Sequence, residues 1–452
     1  MLAFCRARYM RVFIIVIALG LFACGDSSGG SDGGGGGGGS HDGGSDGGGG
    51  SDGGDGGDGG DGGDGGDGGD GGDGGETTTP AKFVLPGEVV NGAVQAVALA
   101  TDGTSDLYVG GDFVSLNDTT SSYLVRFNND GTLDSTFALG TGFDSRVTSL
   151  APATDGSGDV YVGGDFTSYD GTTSNRIIRL NSDGTVDTDF AVGAGFNKSV
   201  TSLTPAPDNS GDVYVGGEFT SYNGTTSNYL IRLNSDGTVD TDFAIGTSID
   251  NTVYSISPAA DGSGDIYVGG FFKFYNQVGS HSLMRLTSTG ALSKPYGLNA
   301  FNSTVLSIAP AADGSGDVYV GGEFNSYKGT TSSRIIRLNS DRTVDTAFAV
   351  GTGFDYEVNI LVPAPDGSGS VYVGGRFTSY NGTKSPGIIR LNSDGTVDTG
   401  FAVGTGFFMS WVNSITLATD GSGDVYVGGD FMSYQDTIAE KIISLKSDGS
   451  IN

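Results

Sequence analysis

The motif Val160-Tyr-Val-Gly-Gly164 decides the fold of this chain. It occurs seven times, and only its first residue varies, between Val, Ile and Leu. The third residue recurs at steps of 53, 53, 53, 52, 53 and 54 residues, at Val109, Val162, Val215, Val268, Val320, Val373 and Val427. A fixed period of this length indicates one supersecondary unit copied in series. Residues that recur in every copy are expected to be scaffold.

One repeat period, which runs from residue 147 to the start of the next copy at residue 200, contains four short apolar segments separated by turns rich in glycine and aspartate. The segments are residues 147–150, 160–162, 177–180 and 190–192, and the polar residues 167–175 are predicted to be a loop. Short alternating strands between such turns predict a four-stranded antiparallel meander. Seven such units predict an all-β fold, a seven-bladed β-propeller over residues 81–452.

The glycine pair in the motif is expected to let neighbouring strands or blades approach closely. A phosphate-binding role is disfavoured, because no helix follows the pair and so no helix N-terminus is available to an anion.

The ends of the repeat region predict how the ring closes. The last copy stops at Asn452, before its fourth strand. An aromatic residue near the start of the region continues the fourth-strand series, which consists of Phe83, Phe137, Phe190, Phe243, Tyr296, Phe348 and Phe401. We therefore expect residues 83–85 to complete the last blade, which closes the ring and leaves no exposed sheet edge. An open solenoid would more often carry capping repeats.

Longer motifs surround the glycine pair in each copy. Examples are Val186-Asp-Thr-Asp-Phe190, Tyr214-Val-Gly-Gly-Glu-Phe219 and Ile388-Ile-Arg-Leu-Asn-Ser-Asp-Gly395. Together they resemble the delta-60 repeats, which are bacterial β-propeller repeats of secreted and surface proteins. The resemblance covers residues 81–452 and implies the propeller fold, but it implies no particular activity.

The first 24 residues have the pattern of a signal peptide. Three arginines precede an apolar run, residues 12–21, which is shorter than the roughly 20 residues that a membrane span needs. The end of the segment, Leu21-Phe-Ala-Cys24, resembles a bacterial lipoprotein signal. The resemblance implies that Cys24 is acylated and anchors the protein to a membrane. The residue after Cys24 is Gly25 and not the aspartate that retains lipoproteins in the inner membrane. This favours the outer membrane or cell surface. An ordinary secretory signal is the alternative.

Residues 25–80 are predicted to be a disordered tether. Glycine and aspartate dominate this segment, and an unbroken Asp-Gly-Gly repeat runs from Asp52 to Gly75. Such a chain has no apolar surface to bury and cannot offset its ordering entropy.

Composition excludes several classes of function. The net charge is -31, and an acidic surface of this size repels nucleic acid. Both cysteines, Cys5 and Cys24, precede the tether, so the repeat region has no disulfide or thiolate chemistry. His281 is the single histidine of the repeat region, which is too few for a zinc site or a catalytic triad.

Paired aspartates four residues apart flank Gly-Ser-Gly loops in four copies. Closely spaced aspartates are a partial ligand set for Ca²⁺, but they also suit a tight turn between strands. Both interpretations stay open, and no other cofactor is predicted. The pairs are Asp155 and Asp159, Asp261 and Asp265, Asp313 and Asp317, and Asp420 and Asp424.

A second charged series lies on the third strand. Arg179 and its counterparts recur there, and an acidic residue such as Asp165 follows the glycine pair in four of the same copies. We expect a cross-strand ion pair between these two positions, of modest strength.

The copies diverge most in two places, and function in a propeller is expected where copies diverge. One is the stretch 271–281 and the other is Phe407-Phe-Met-Ser-Trp411, which holds the only tryptophan. Exposed aromatic residues can stack on sugars or anchor a protein partner. The alternative is that Trp411 and Phe408 fill the space between two blades. The candidate contact residues are Trp411, Phe408, Phe271, Phe274, Tyr275 and His281.

The sequence therefore predicts a lipid-anchored propeller at the bacterial surface that binds or scaffolds a protein or glycan partner, without catalytic residues. A carbohydrate-active enzyme is the first alternative, and it would need a pair of carboxylates in the central funnel. A purely structural surface protein is the second.

Overall fold

The computed structural model describes residues 90–117, 119–243, 249–409 and 411–452. Within these ranges all regular secondary structure is β-strand, so no helix of the described chain could cross a membrane. The predicted signal peptide, the tether and the predicted closing strand at 83–85 lie outside the described residues.

Seven sheets follow one another along the chain, one for each copy of the repeat. Each is an antiparallel sheet whose first and third strands pair with the second. The first strands are Val94–Leu99, Val147–Pro152, Val200–Pro205, Val253–Pro258, Val305–Pro310, Val358–Pro363 and Val412–Leu417. The second strands are Leu107–Gly111, Val160–Gly164, Val213–Gly217, Ile266–Gly270, Val318–Gly322, Val371–Gly375 and Val425–Gly429. The third strands are Leu124–Phe127, Ile177–Leu180, Leu230–Leu233, Leu283–Leu286, Ile335–Leu338, Ile388–Leu391 and Ile442–Leu445.

A short hairpin follows the second strand in every copy, where the sequence predicts only a polar loop. Its two strands have two residues each: Ser115–Leu116 and Thr119–Thr120, Ser168–Tyr169 and Thr172–Thr173, Ser221–Tyr222 and Thr225–Thr226, Phe274–Tyr275 and Val278–Gly279, Ser326–Tyr327 and Thr330–Thr331, Ser379–Tyr380 and Thr383–Lys384, and Ser433–Tyr434 and Thr437–Ile438. In the seventh copy a third strand, Phe407–Phe408, joins this hairpin.

Among the described residues, a fourth strand is present in the fourth copy alone, as Leu292–Lys294. In six copies it is reduced to one bridge, such as that between Leu180 and Val186, so the expectation of a strand at 190–192 is wrong. The chain turns away because Phe190 is drawn inward, where its ring meets Tyr161 edge-on at 5.3 Å. The Ala191 amide then donates to Asp236 O of the next copy.

The glycine pair permits close approach on two sides, as the sequence predicts. A Cβ on Gly163 would lie 2.6 Å from Val200 Cγ1 in the next copy, too close for any side chain. A Cβ on Gly164 would collide with the carbonyl oxygen of Arg146 in the same sheet. That carbonyl comes close because the first strand is bulged between Val147 and Ser149.

Side-chain hydrogen bonds join the first strands of neighbouring copies. Ser149 Oγ accepts a hydrogen bond from the Leu203 amide of the next copy at 3.0 Å. The last and first copies are joined in the same way, because Ser414 Oγ accepts from the Val97 amide at 3.1 Å. Asn413 Nδ2 also donates to Val94 O at 3.0 Å. The hydrophobic core lies between the sheets, where residues of adjacent copies pack into shared clusters.

Candidate functional site

The seven hairpins lie at the end of the sheets where each first strand begins and each second strand ends. We call this end of the sheets the hairpin side. Both divergent stretches of the sequence lie here, one in the fourth copy and one in the seventh. The opposite end carries the loops with the paired aspartates, which join the first strand to the second.

An Asn or Asp side chain caps the hairpin in six copies. In the second copy Asp144 Oδ1 accepts hydrogen bonds from the amides of Thr167 at 2.7 Å and Ser168 at 3.1 Å. Burial opposes the charge, but the hydrogen bonds from Thr167 and Ser168 outweigh it and hold the pKa of Asp144 below its ordinary value. The capping residues are Asn91, Asp144, Asn197, Asp250, Asn302 and Asp355, and each accepts from two consecutive hairpin amides.

The seventh copy has Phe408 at the capping position. With no side-chain acceptor there, the main chain takes over: Phe408 pairs with Ser433 as a short strand, and its carbonyl accepts from the Met432 amide at 3.3 Å. The Phe408 ring is left 60% exposed. Ser433 also pairs with Ile438, so Phe408, Ser433 and Ile438 form one row across this small sheet. Residues directly opposite one another share a face, so Phe408 and the 80% exposed Ile438 lie on one face with Ser433 between them.

Trp411 lies on the surface at the junction of the sixth and seventh copies. Its side chain is 45% exposed, and the Arg376 guanidinium carbon lies 3.9 Å from the ring centroid, a cation–π contact. The interpretation that Trp411 and Phe408 fill the space between blades is therefore wrong. Phe407 is the buried aromatic residue of this stretch, and it packs against Phe431 and Tyr434 of the same copy.

Two more apolar side chains of the seventh copy are exposed near these residues, Met409 and Met432. We call Phe408, Met409, Trp411, Met432 and Ile438 together the seventh-copy patch. Sequence analysis missed Met432 and Ile438. Comparing the copies position by position would have found Ile438, because the other copies have Thr, Lys or Gly there.

The fourth copy carries a second set of exposed apolar residues. Phe271 is 50% exposed, at the position where the second copy has Asp165. It lines a groove of about 440 Å³ with Lys273, His281 and Asn299, between the fourth and fifth copies. His281 Nδ1 accepts from the Asn299 amide at 3.2 Å. Phe274, Val278 and Leu298 are also exposed in this copy.

Tyr275 is not available for contact with a partner, contrary to the sequence prediction. Its side chain is buried, and its hydroxyl donates to the carbonyl of Gly290. It is the counterpart of Tyr169, which is buried against Phe143 and donates to Gly184 O at 2.7 Å; Phe143 in turn packs on Phe166. Tyr275 therefore belongs to the repeated scaffold.

The paired aspartates converge on a guanidinium group. In the second copy Arg179 Nη2 lies 2.6 Å from Asp155 and 2.9 Å from Asp159, and Arg179 Nε lies 3.3 Å from Asp187. Hydrogen bonds from Ser157 and the charge of Arg179 overcome the effect of burial and lower the pKa of Asp155. Burial is the largest influence on Asp159 and raises its pKa.

The same arrangement recurs in the fourth and fifth copies, at Arg285 and Arg337. In the seventh copy Asp424 accepts a hydrogen bond from Asn452 at 2.9 Å, and Asp420 belongs to the same loop. Among the described residues, no group of three or more His, Cys, Asp or Glu side chains is arranged to hold a metal ion. The calcium site stays a prediction, and in three of its four loops a guanidinium lies against the carboxylates.

The expected cross-strand pair between Arg179 and Asp165 does not form. The antiparallel register places Arg179 opposite Tyr161, at the other end of the strand from Asp165. Asp165 instead binds Arg146, whose Nε lies 2.5 Å away, and it also accepts a hydrogen bond from Ser199 of the next copy.

Comparisons with known proteins agree on the fold. Five segments match a family model described as a domain of unknown function (DUF5122) β-propeller: residues 101–137, 156–190, 209–243, 314–348 and 367–401. These segments lie in the first, second, third, fifth and sixth copies. No curated protein matches the chain.

Solved propellers are similar in structure. The WD40 β-propeller domain of Doa1 is 14% identical, with a TM-score of 0.50 over 77% of this chain and 94% of that domain. The GH74 enzyme of Niastella koreensis is 16% identical, with a TM-score of 0.49 over 82% of this chain; the match spans 54% of that enzyme, about half its length. The likeness to the WD40 domain and the repeated sheets show that this chain is a β-propeller protein.

The Arg179 cluster predicts a strong effect of its removal. Replacing Arg179 by Met leaves three carboxylates without their buried partner, which we expect to cost about 3–5 kcal/mol in the free energy of unfolding. Arg146→Met is the matched control, because its side chain is half exposed and its ion pair is worth at most about 1 kcal/mol. Urea unfolding followed by circular dichroism measures both. Equal losses for the two variants would contradict the assignment.

Proposed function

We propose that this protein is an exported, lipid-anchored β-propeller that binds a protein partner through the seventh-copy patch. The observation that carries the proposal is Phe408. Six copies have at this position an Asn or Asp that accepts two hairpin hydrogen bonds, and the seventh gives up this cap and presents an aromatic ring to solvent.

This exchange has a cost, which supports a role outside folding. Losing a side-chain acceptor for main-chain amides typically costs about 1 kcal/mol. The exposed ring of Phe408 and the exposed side chain of Ile438 share one face and form an apolar patch, which the surfaces of soluble proteins normally avoid. Residues that break a local rule at such a cost are expected at functional sites.

The chemistry of the patch favours a protein partner over a glycan. Aromatic residues, Met and Arg are enriched at protein interfaces, and the patch combines Phe408 and Trp411 with two methionines and Arg376. Ile438 adds a branched aliphatic side chain on the same face as Phe408, whereas a sugar would require hydrogen-bonding groups.

A glycan is the second candidate, in the groove of the fourth copy. There the exposed ring of Phe271 lies among polar side chains, namely Lys273, His281, Asn299 and Asn302. A ring face with polar groups beside it suits a sugar. Hydrolysis of that sugar remains the enzymatic alternative, and it would require two carboxyl groups that flank the bond.

We further propose that the seven sheets form a closed ring of seven blades. The bonds that join Ser414 to Val97 and Asn413 to Val94 support closure, since they link the last copy to the first. Gly428 supports it as well, because a Cβ there would collide with Val94 Cγ1, just as one on Gly163 would collide with Val200.

Closure predicts the effect of a single methyl group. Gly428→Ala should lower the free energy of unfolding by about 1–3 kcal/mol, as much as Gly163→Ala, because both overfill a junction between copies. Gly400→Ala is the control, since the second, third and fifth copies have Asp189, Asp242 and Ala347 at this position. Urea unfolding compares the three variants. If Gly428→Ala were as mild as the control, the ring would be open.

The seventh-copy patch predicts opposite effects on binding and stability. Phe408→Asp restores the capping residue of the other copies, so the free energy of unfolding should stay the same or rise by about 1 kcal/mol. Binding should be lost. A benzoylphenylalanine at Ile438 should crosslink a protein on intact cells, and Phe408→Asp should abolish that crosslink.

The control places the same photoreactive residue at Lys384, the counterpart of Ile438 in the sixth copy, where no crosslink is expected. The proposal fails if both positions crosslink equally, or if Phe408→Asp leaves the product at Ile438 unchanged.

The proposed location depends on Cys24, and the repeat motifs that resemble delta-60 repeats of surface proteins support it. In bacteria fed an alkyne analogue of palmitate, the wild-type chain should incorporate the label and fractionate with the outer membrane. Cys24→Ala should lose both, because no acyl chain can attach. Labelling of the Cys24→Ala chain at the wild-type level would refute the anchor.

A further inference from the structure

The first copy lacks the buried tyrosine that the other six hairpins share. Tyr169 shows its usual role, in which the ring packs inside the sheet and the hydroxyl donates to the carbonyl of Gly184, fifteen residues on. The first copy has Leu116 at this position, which offers neither ring nor hydroxyl. The tyrosines of the other copies are Tyr169, Tyr222, Tyr275, Tyr327, Tyr380 and Tyr434, and each donates to the corresponding carbonyl.

The acceptor for that hydroxyl is kept in the first copy. Gly131 is the counterpart of Gly184, with φ of 86° against 85°. Its amide donates to Asn128 O at 2.9 Å, as the Gly184 amide does to Asn181 O. The turn therefore presents the same carbonyl, while the residue that would donate to it is missing.

A second ring is missing from the same place. Phe143 bridges to Tyr169 and packs on it at 4.7 Å in the second copy. In the first copy the corresponding bridge joins Val90 to Leu116. Two of the three aromatic rings found in five of the other copies are thus replaced by smaller aliphatic side chains; the fourth copy lacks one of the three, because it has Ile249 at the position of Phe143.

A cavity of about 560 Å³ lies beside Leu116, a volume typical of small-molecule sites. Val125, Leu133, Phe137 and Leu139 give it a largely apolar lining. Ser121 also lines it, and its hydroxyl oxygen is buried without a hydrogen-bond partner in the described chain. The counterpart hydroxyl, that of Ser174, donates to Ile177 O at 2.7 Å.

We propose that this first-copy cavity binds a small aromatic molecule that carries a hydroxyl group, in chemical class a phenol. The six other copies show what the surrounding scaffold accepts, a phenol ring whose hydroxyl donates to a main-chain carbonyl. The first copy keeps the apolar wall and the turn at Gly131, and Ser121 supplies an additional polar group. The site is separate from the seventh-copy patch, and either could exist without the other.

The test uses 4-fluorophenol as the probe and the full chain with Cys24→Ala, which removes the predicted acylation site. The fluorine NMR line of the probe should broaden and shift with the protein. Fluorobenzene, which lacks the hydroxyl, should bind about tenfold more weakly. Leu116→Tyr and Leu116→Phe should each weaken binding of 4-fluorophenol by at least about tenfold, since a ring then fills the cavity.

Trp411→Ala is the matched control, because it removes an exposed aromatic residue of the seventh copy and should leave binding unchanged. Circular dichroism identifies any variant that fails to fold, and either Leu116 variant suffices for the comparison. The proposal is overturned if the probe shows no binding up to about 10 mM. It is also overturned if a folded Leu116 variant binds as the wild type does, or if Trp411→Ala alone removes binding.

Discussion

The contact between a bare α-carbon and a valine side chain sets the geometry of the whole molecule. Gly163 meets Val200 of the next copy, and the same contact recurs along the chain, so neighbouring sheets approach as closely as the missing Cβ allows. At that separation, Ser149 can reach the Leu203 amide, and apolar side chains of adjacent sheets pack into shared clusters. The second glycine acts within each sheet, because its missing Cβ leaves room for the bulge in the first strand.

Because the junctions between copies are uniform, variation in sequence is confined to the two ends of the sheets. The two ends differ in how many of their side chains the scaffold requires. At the aspartate loops the charges are paired within the scaffold, since Arg179 binds three carboxylates from two loops. On the hairpin side an Asn or Asp side chain caps six of the seven hairpins, and one tyrosine or leucine of each hairpin is buried. The seventh copy shows that main-chain pairing can replace this cap, which frees the capping position for an exposed aromatic ring.

The sequence predicted those features that depend on one period and on small residues. The sheets, the role of the glycine pair and the two divergent stretches follow from counting and alignment of the copies. The partner of Arg179 could not be predicted in this way, because it depends on the strand register, which sets Tyr161 rather than Asp165 opposite the arginine. Burial could not be predicted either. In sequence Tyr275 and Phe407 resemble their exposed neighbours, and only the packing in the structure distinguishes them. The cavity beside Leu116 arises from a leucine that looks unremarkable until its six tyrosine counterparts are placed around the same carbonyl.

The capped hairpin is also a unit that can be moved. Its cap is one side chain just before the first strand, which accepts hydrogen bonds from two hairpin amides, so the cap depends little on which copy carries it. Duplication of the repeat therefore places seven corresponding hairpins on one scaffold. An exposed surface that arises in one copy could be transferred to another by exchanging two short segments, and several could be displayed at once.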